Sequence, residues 1–409
     1  MLRVAIVGCG KIADAHALQI QRIPGCGIVG ACDREKLMAQ QFAERFGVSR
    51  CFDNAAEMIS ALQPEVVHIT TPPQSHFEIA RLCLEQKCHV YVEKPFTLNT
   101  AEAEELITLA ELRGLKVTVG HDGQFSHPAR RMRDLVQRGY LGGSPVHLES
   151  TWCYDFGDQT YARALLGDKE HWVRKLPGGL LQNLISHGIA KIAEFLTTDA
   201  PFVLGVGHTS AFLRNAGEPD IIDELRVVIT GETGPTAYFT FSSQMRPALH
   251  QFCIYGHTNG LVLDEDRQTL MRVPGKRFKS YIEKFVPPII TAKECVRNSL
   301  HNARLFLSRD FHMDSGKYYL IKAFYSSVVD NAPVPISYSQ ILLTSRIMDS
   351  IFEQVAFKQP APQHQSSSMQ MSWGRASSET DADGSANHMA RNNTRATETS
   401  KSDRQQQSL

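Results

Sequence analysis

Two segments of the sequence carry side chains that could hold a hydroxyl group or move a proton. The first is Tyr91-Val92-Glu93-Lys94-Pro95-Phe96, in which the Lys94 ammonium could hydrogen-bond a hydroxyl and favour its alkoxide form. The second runs from Pro177 through Gly178-Gly179 to His187 and includes Asn183. Histidine transfers protons well near neutral pH, and on a helix Asn183 would share the face of His187. The alternatives are a surface Glu93–Lys94 ion pair and a structural histidine.

The N-terminal residues show a pattern that is typical of dinucleotide binding. The strand-like run Val4–Val7 leads into Gly8-Cys9-Gly10-Lys11-Ile12-Ala13, where a helix begins. The first glycine permits a tight turn, the second lets the backbone approach a pyrophosphate, and the helix N-terminus attracts phosphate groups. Asp33 follows Gly8 by 25 residues, at the end of the next strand, where a carboxylate would bind the ribose hydroxyls. We expect NAD as the cofactor, with NADP possible because Arg34 could hold a 2′-phosphate. A structural glycine turn is the alternative.

The first 120 residues alternate between strands and helices, and these elements must position the residues above. The β-branched runs predict strands at Val4–Val7, Ile28–Cys32, Val66–Thr70, His89–Val92 and Val117–Val119. The helical patterns are Ile12–Ile20, Glu35–Phe46, Ala55–Leu62, Phe77–Gln86 and Thr100–Arg113, the last opened by an Asn99–Glu102 capping pair. This alternation predicts a parallel sheet in a Rossmann domain over residues 1–120.

Strand ends at the carboxyl edge of such a sheet are where ligands bind. Thr71 and Pro72 follow the strand Val66–Thr70, so we expect them to line the cofactor, as we do for Glu93 and Lys94. His76 belongs to the same loop and is included among the cofactor-binding residues. Capping of the following helix is favoured for it over catalysis.

A second domain is predicted over residues 121–358, with α+β architecture and an open, largely antiparallel sheet. Strands dominate between Pro201 and Val273, and Tyr318–Val328 and Ile341–Gln354 are predicted to be closing helices. Residues 359–409 contain Leu409 as their only Leu, Ile, Val or Phe, which predicts a disordered tail.

Composition restricts the class of protein. The chain has 409 residues with 43 Lys+Arg and 43 Asp+Glu, and this zero net charge argues against a dedicated nucleic-acid binder. No apolar run approaches the ~18 residues of a transmembrane helix, and the N-terminus does not fit a signal peptide. The nine cysteines include no Cys-x-x-Cys pair, so we expect reduced thiols, no metal site and a cytoplasmic location.

A basic segment interrupts the second domain between Gly275 and Arg309. It holds eight Lys/Arg against two Glu, a net charge of +6, interleaved with Phe, Tyr, Ile and Leu. Such a segment could contact an anionic membrane peripherally or dock a phosphorylated substrate. An insertion that packs on its own subunit or a neighbour is the favoured alternative.

Taken together and in this order, the motifs resemble those of the Gfo/Idh/MocA family, named for glucose–fructose oxidoreductase and inositol dehydrogenase. The matching pieces are Gly8-Cys9-Gly10-Lys11-Ile12-Ala13, Thr71-Pro72-Pro73 with His76, Glu93-Lys94-Pro95, Gly178-Gly179 and His187. The resemblance covers about residues 1–357. It implies a Rossmann domain, a second α/β domain whose sheet supports a homodimer or homotetramer, and NAD(P)-dependent oxidation or reduction of a sugar, cyclitol or nucleotide sugar.

Carried onto this sequence, the resemblance makes Lys94 the residue that orients the reacting hydroxyl and His187 the general acid/base. Many relatives have an aspartate four residues before that histidine, where this chain has Asn183, and an Asn-Arg-Arg-Phe-like stretch where it has Asp122-Gly123-Gln124-Phe125. The first departure would suit a nucleotide-sugar substrate rather than a cyclitol, and the second argues against transferring any one relative's substrate to this chain. Trp172, Arg174 and Lys175 would supply a stacking ring and cations for it, with a solvated basic loop as the alternative.

Three functions are compatible with this sequence. The first is an NAD(P)-dependent sugar or nucleotide-sugar oxidoreductase, for which the resemblance suggests a role in polysaccharide biosynthesis. The second is a glycoside hydrolase that keeps NAD bound, and the third is a non-catalytic NAD(P)-binding regulatory subunit. The retained Lys94 and His187 favour the first.

Overall fold

The computed structural model describes residues 1–156, 167–275, 278–311 and 315–356. Its N-terminal part is built around a six-stranded parallel sheet with the order β3-β2-β1-β4-β5-β6. The strands are β1 (Leu2–Val7), β2 (Cys26–Cys32), β3 (Cys51–Phe52), β4 (Val66–Ile69), β5 (His89–Val92) and β6 (Val117–Val119). This is the strand order of a Rossmann fold, so the predicted domain type is confirmed.

The helices between these strands agree with the amphipathic patterns to within one or two residues at each end. They are Lys11–Ile20, Lys36–Phe46, Ala55–Leu62, His76–Glu85 and Thr100–Leu112. The Asn99 side chain accepts a hydrogen bond from the Glu102 N–H at 2.9 Å, and the Glu102 carboxylate accepts one from Leu98 N–H at 3.0 Å. The predicted capping pair therefore fixes the start of the last helix.

The second sheet has seven strands in the order β13-β12-β11-β7-β10-β9-β8. They are β7 (His147–Asp155), β8 (Phe202–His208), β9 (Glu224–Thr230), β10 (Thr236–Ser242), β11 (Gln244–Tyr255), β12 (Asn259–Asp264) and β13 (Thr269–Pro274). All neighbouring pairs are antiparallel except β7 and β10. The expected open, largely antiparallel sheet is confirmed.

After residue 121, the described part of the chain contains seven further α-helices. They are His127–Gln137, Gly179–Leu184, Ser186–Ala193, Ala211–Asn215, Val286–Leu307, Ser315–Val329 and Tyr338–Ala356. The sequence after Gly178-Gly179 is consistent with one continuous helix, whereas the structure interrupts it at Ile185. This interruption lies between Asn183 and His187.

Two hydrophobic cores hold the described chain together, one under each sheet. The first contains the buried faces of β1, β4 and β5 together with Leu320, Ile321 and Phe324 from the helix Ser315–Val329. That helix follows the second sheet in sequence yet packs with the first. A domain boundary at residue 120 stays a prediction, and the chain crosses back over it here.

No helix of the described residues is long and apolar enough to cross a bilayer. All nine cysteines are free thiols, and six of them are buried.

Most of the basic segment between Gly275 and Arg309 forms the helix Val286–Leu307. Lys276 and Arg277 of this segment lie outside the described residues, as does the tail 359–409.

Candidate active site

A cleft for a dinucleotide lies at the carboxyl edge of the first sheet, and its two glycines have different roles. Gly8 has φ +95°, and a Cβ there would lie 2.7 Å from the Thr71 backbone nitrogen. Gly10 has ordinary backbone angles and precedes the helix Lys11–Ile20, and a Cβ on it would meet nothing within 4 Å. The first glycine is required by the fold, whereas the second leaves open space at a helix N-terminus, which suits a pyrophosphate.

Asp33 is held at this cleft by two backbone amides. Its Oδ2 accepts a hydrogen bond from Cys9 N–H at 2.7 Å and its Oδ1 one from Glu35 N–H at 3.0 Å. The carboxylate keeps free lone pairs toward a cavity of about 760 Å³, which Arg34 also lines. Asp33 is thus positioned to accept hydrogen bonds from ribose hydroxyls.

The other residues predicted to bind the cofactor divide between the cavity wall and the protein interior. Gly8, Gly10, Thr71 and Pro72 line the cavity. Lys11 and Ile12 begin the following helix without lining the cavity, and Ile12 is 39% exposed. The Cys9 thiol is buried, and burial raises its pKa to about 12, so Cys9 contributes its backbone N–H rather than its side chain.

His76 is buried between two loops and does not line the dinucleotide cavity. Its Nδ1 lies 2.9 Å from the Pro95 carbonyl oxygen and its Nε2 2.9 Å from the Thr71 carbonyl oxygen. It begins the helix His76–Glu85 without capping it through its side chain. The predicted capping role is therefore not seen, and His76 instead ties the loop after β4 to the Lys94–Pro95 segment.

Trp172, Arg174 and Lys175 do not gather around His187, as the substrate-binding expectation required. Trp172 and Lys175 line the same cavity as Asp33, and Gln74 Nε2 donates a hydrogen bond to the Trp172 carbonyl at 2.9 Å. Arg174 forms a two-point ion pair with Glu218 at 2.8 and 2.9 Å, which raises the pKa of the guanidinium. The segment therefore closes one side of the dinucleotide cleft.

Lys94 extends from the end of β5 toward the helix Gly179–Leu184. The Lys94–Pro95 peptide is cis. The Lys94 ammonium donates to the Asn183 backbone carbonyl at 3.0 Å and to Asn183 Oδ1 at 3.3 Å, at the place where the helical stretch is interrupted. Burial lowers the pKa of Lys94 below its ordinary value.

Glu93 points into the interior, contrary to its predicted place beside the cofactor or in a surface pair with Lys94. Its Oε1 accepts hydrogen bonds from His16 Nε2 at 2.6 Å and Lys317 Nζ at 2.8 Å. Burial alone would raise the pKa of Glu93, but Lys317 and His16 hold it well below its usual range. The physical reason for the correction is that the buried cation Lys317, together with His16, holds the Glu93 carboxylate in the interior.

His187 has a carboxylate neighbour that sequence reasoning did not find. Its Nδ1 lies 3.9 Å from Asp122 Oδ1, so Asp122 supplies a negative charge where Asn183 cannot. Burial lowers the pKa of His187 to about 4, against the opposing effect of Asp122 and with a further lowering by Lys94. The neutral imidazole can therefore accept a proton at neutral pH.

Lys317 fixes Asp122 in place. It is 2% exposed and lies 3.1 Å from Asp122 Oδ2 and 2.8 Å from Glu93 Oε1. Burial opposes its charge, but Asp122 and Glu93 hold the pKa of Lys317 well above its ordinary value. The only sequence signal was a lysine at the start of an apolar helical pattern, which does not identify a buried cation.

An aromatic wall faces His187 from the second sheet. The Trp152 ring stacks on the His187 ring with centroids 5.6 Å apart, and the His250 ring meets Trp152 at 4.5 Å. Trp152 Nε1 donates to the Tyr154 hydroxyl at 3.1 Å. Their signal was the alternation of β7, which places Trp152 and Tyr154 on one face. Aromatic faces of this kind suit the C–H surface of a sugar ring.

The site thus combines a lysine, a neutral histidine with a nearby carboxylate, and a dinucleotide cleft. Among the described residues, no group of three or more His, Cys, Asp or Glu is arranged to hold a metal ion. This set of groups fits proton transfer beside a nicotinamide.

Comparison with known proteins relates the N-terminal part of the chain to a family of oxidoreductases. The family model described as "Oxidoreductase family, NAD-binding Rossmann fold" matches residues 2–121. Residues 2–121 thus match the NAD-binding domain of the Gfo/Idh/MocA oxidoreductases, over less than a third of the 409-residue chain.

Two relatives each match about a third of the chain. D-glucoside 3-dehydrogenase from Escherichia coli is 32% identical over 142 residues, which cover 34% of this chain and 40% of that protein. UDP-N-acetylglucosamine 3-dehydrogenase from Acidithiobacillus ferrooxidans is 34% identical over 151 residues, covering 36% and 44%. The matched region therefore spans less than half of either relative.

A solved structure extends the likeness of fold to most of the chain. The WlbA dehydrogenase from Bordetella pertussis, in complex with NADH and UDP-GlcNAcA, superposes with a TM-score of 0.69 at 13% identity. The superposition covers 87% of this chain and 95% of that one. Both relatives are named as dehydrogenases, and the solved structure shares the fold of this chain.

Proposed function

We propose that this chain is an NAD(P)-dependent dehydrogenase that acts on a hydroxyl-bearing carbon of a sugar or nucleotide sugar. Two contacts carry the proposal: Lys94, which follows β5, contacts Asn183, and Asp122, which follows β6, lies 3.9 Å from His187. A lysine and a base at the carboxyl edge of a dinucleotide domain are what alcohol oxidation requires.

The proposed roles follow from the protonation states. Lys94 donates a hydrogen bond to the substrate oxygen and favours its alkoxide form, replacing its present bond to Asn183. His187 accepts the hydroxyl proton, and Asp122 stabilises the resulting imidazolium at 3.9 Å. The nicotinamide supplies the hydride chemistry when bound. The alcohol thus loses a hydride and a proton and becomes a carbonyl.

The substrate class is inferred from the aromatic wall and from the relatives. Trp152 offers its ring beside His187, which suits a pyranose face. The two relatives are named for a glucoside and for a UDP-sugar. We infer NAD rather than NADP because the Asp33 carboxylate would repel a 2′-phosphate. From the family resemblance we also propose that the protein is a homo-oligomer located in the cytoplasm.

The test is a turnover assay with the purified full-length chain. Glucosides and UDP-sugars are supplied with NAD or NADP, and the absorbance of the reduced nicotinamide is followed. We expect net reduction of NAD with at least one sugar and a clear preference over NADP.

Two results would contradict the proposal. Release of the aglycone without net change in the nicotinamide would identify a hydrolase. Tight NAD binding with no reaction across the panel, in protein whose folding is verified, would favour a non-catalytic subunit.

A further inference from the structure

The helix Val286–Leu307 presents its apolar side chains to the exterior. Phe285, Ile289, Val296, Leu300 and Leu307 are between 59% and 79% exposed. Their spacings of four, seven, four and seven residues place them on one face, which we call the apolar stripe.

The opposite face of this helix packs on its own sheet through polar groups. Asn298 is 1% exposed and exchanges hydrogen bonds of 3.0 Å with both the N–H and the carbonyl of Leu270. Glu294 is 5% exposed and pairs with Arg272 at 2.7 and 3.1 Å. The amphipathic pattern is therefore inverted relative to a helix that covers a core, where the apolar face is buried.

Cations lie beside the apolar stripe and form an open groove of about 650 Å³. Its lining includes Lys293, Arg297 and Arg304 from the helix, with Arg131 from the helix His127–Gln137. Burial and the nearby Arg131, His127 and Arg304 lower the pKa of His301, which also lines the groove. In the part of the chain that the structure describes, no carboxylate lies within salt-bridge distance of Lys293 or Arg304.

We propose that the apolar stripe and the basic groove dock this protein peripherally on an anionic phospholipid bilayer. Lys and Arg beside exposed Phe, Ile and Leu are the arrangement by which an interfacial helix combines attraction to anionic headgroups with insertion of apolar side chains. The charge favours a lipid surface over a second copy of the chain. Two copies that paired along the stripe would bring the same cations together.

Residues 359–409 contain few large apolar side chains that could cover this stripe: one Leu, three Met and one Trp, with no Ile, Val or Phe. The proposal is independent of the dehydrogenase activity, because the helix contributes no residue to the site of Lys94 and His187.

The experiment is vesicle flotation of the full-length protein. Vesicles of phosphatidylcholine alone are compared with vesicles that also contain phosphatidylglycerol. We expect flotation only with the anionic vesicles and a decrease as salt is raised.

Two double variants separate the two contributions. Ile289→Ser with Leu300→Ser should reduce vesicle binding at least about tenfold, because two inserted apolar side chains are removed. Lys293→Gln with Arg304→Gln should reduce it about fivefold for each cation. Matched controls are Leu112→Ser, which changes an 81% exposed leucine, and Lys87→Gln, which changes an exposed lysine, both elsewhere on the surface.

NAD affinity, measured on every variant, verifies that the protein remains folded. Absence of flotation with anionic vesicles would overturn the proposal. So would equal flotation of the Ile289→Ser/Leu300→Ser variant, or self-association through the stripe in light scattering without vesicle binding.

Discussion

His187 is prepared as a base because its surroundings disfavour the charged imidazolium. Burial lowers the pKa of His187 to about 4. The Asp122 carboxylate opposes this decrease, because its negative charge stabilises the protonated imidazolium. The Lys94 ammonium donates a hydrogen bond to the side-chain amide oxygen of Asn183, which is uncharged. Substitutions at these residues should therefore change kcat and the pH dependence of kcat/KM.

Lys94→Ala is expected to lower kcat at least about a hundredfold, because the substrate oxygen loses its hydrogen-bond donor. NAD affinity should remain nearly unchanged, since Lys94 does not line the cavity of Asp33. Steady-state kinetics and calorimetric NAD titration measure the two effects. Lys87→Ala serves as the matched control, and retention of full turnover by Lys94→Ala would refute the assignment.

Asp122→Asn is expected to lower the pKa of His187 further, because the carboxylate that stabilises the imidazolium is lost. The acid limb of the kcat/KM profile should move to lower pH, and kcat should fall because a weaker base removes the proton. Asp134→Asn, at an exposed aspartate, is the control. A purely structural role would reduce the amount of active enzyme and leave the position of the limb unchanged.

Helices and strands whose positions depend on nearby residues were predictable from the sequence. The strands β1, β4, β5 and β6 and their helices follow from β-branched runs, caps and glycines, and were found within a few residues. β3 was missed because Cys51–Phe52 is too short to show periodicity. The break at Ile185 was missed because nothing in Leu184-Ile185-Ser186 disfavours a helix locally.

The candidate site was only partly predictable for a related reason. Lys94 and His187 stand in recognisable motifs, whereas Asp122 and Lys317 are 195 residues apart and meet only through the packing of the helix Ser315–Val329. Pairings between distant residues leave no periodic signal.

The turn between β1 and its helix gives a matched pair of variants. Gly10→Ala should leave stability unchanged or slightly raised, because its Cβ meets no atom, yet weaken NAD binding by entering the pyrophosphate space. Gly8→Ala should cost more than about 1 kcal/mol of unfolding free energy, since φ is +95° and Thr71 is in the way. Urea denaturation and NAD titration of both variants measure this, and identical behaviour of the two would contradict it.

At the scale of the whole molecule, Lys317 joins the interior of the first sheet to the active site. It bridges Glu93, at the end of β5, and Asp122, after β6, from a helix that follows the second sheet in the chain. Buried ion pairs of this kind contribute less by forming than they cost when broken on one side.

Lys317→Met is therefore expected to reduce the unfolding free energy by about 3–5 kcal/mol at neutral pH, because Glu93 and Asp122 are left buried without a counter-charge. The pKa of Glu93 is depressed in the folded protein, so the contribution is fully present above its unfolded pKa of about 4.3 and is lost as pH falls below that value. The difference between wild type and variant should narrow in acid. Urea denaturation at several pH values measures it, and a difference independent of pH would argue against the pair.

The carboxylate beside His187 is that of Asp122, which follows β6, and its other oxygen lies 3.1 Å from Lys317 of the helix Ser315–Val329. Asp122, His187 and Lys317 are thus brought together from three segments that are far apart in the sequence. A chain in which only the first sheet had folded would hold Asp122 without its ammonium partner and without the imidazole. The electrostatic environment of His187 is therefore complete only after the helix Ser315–Val329 has packed against the first sheet.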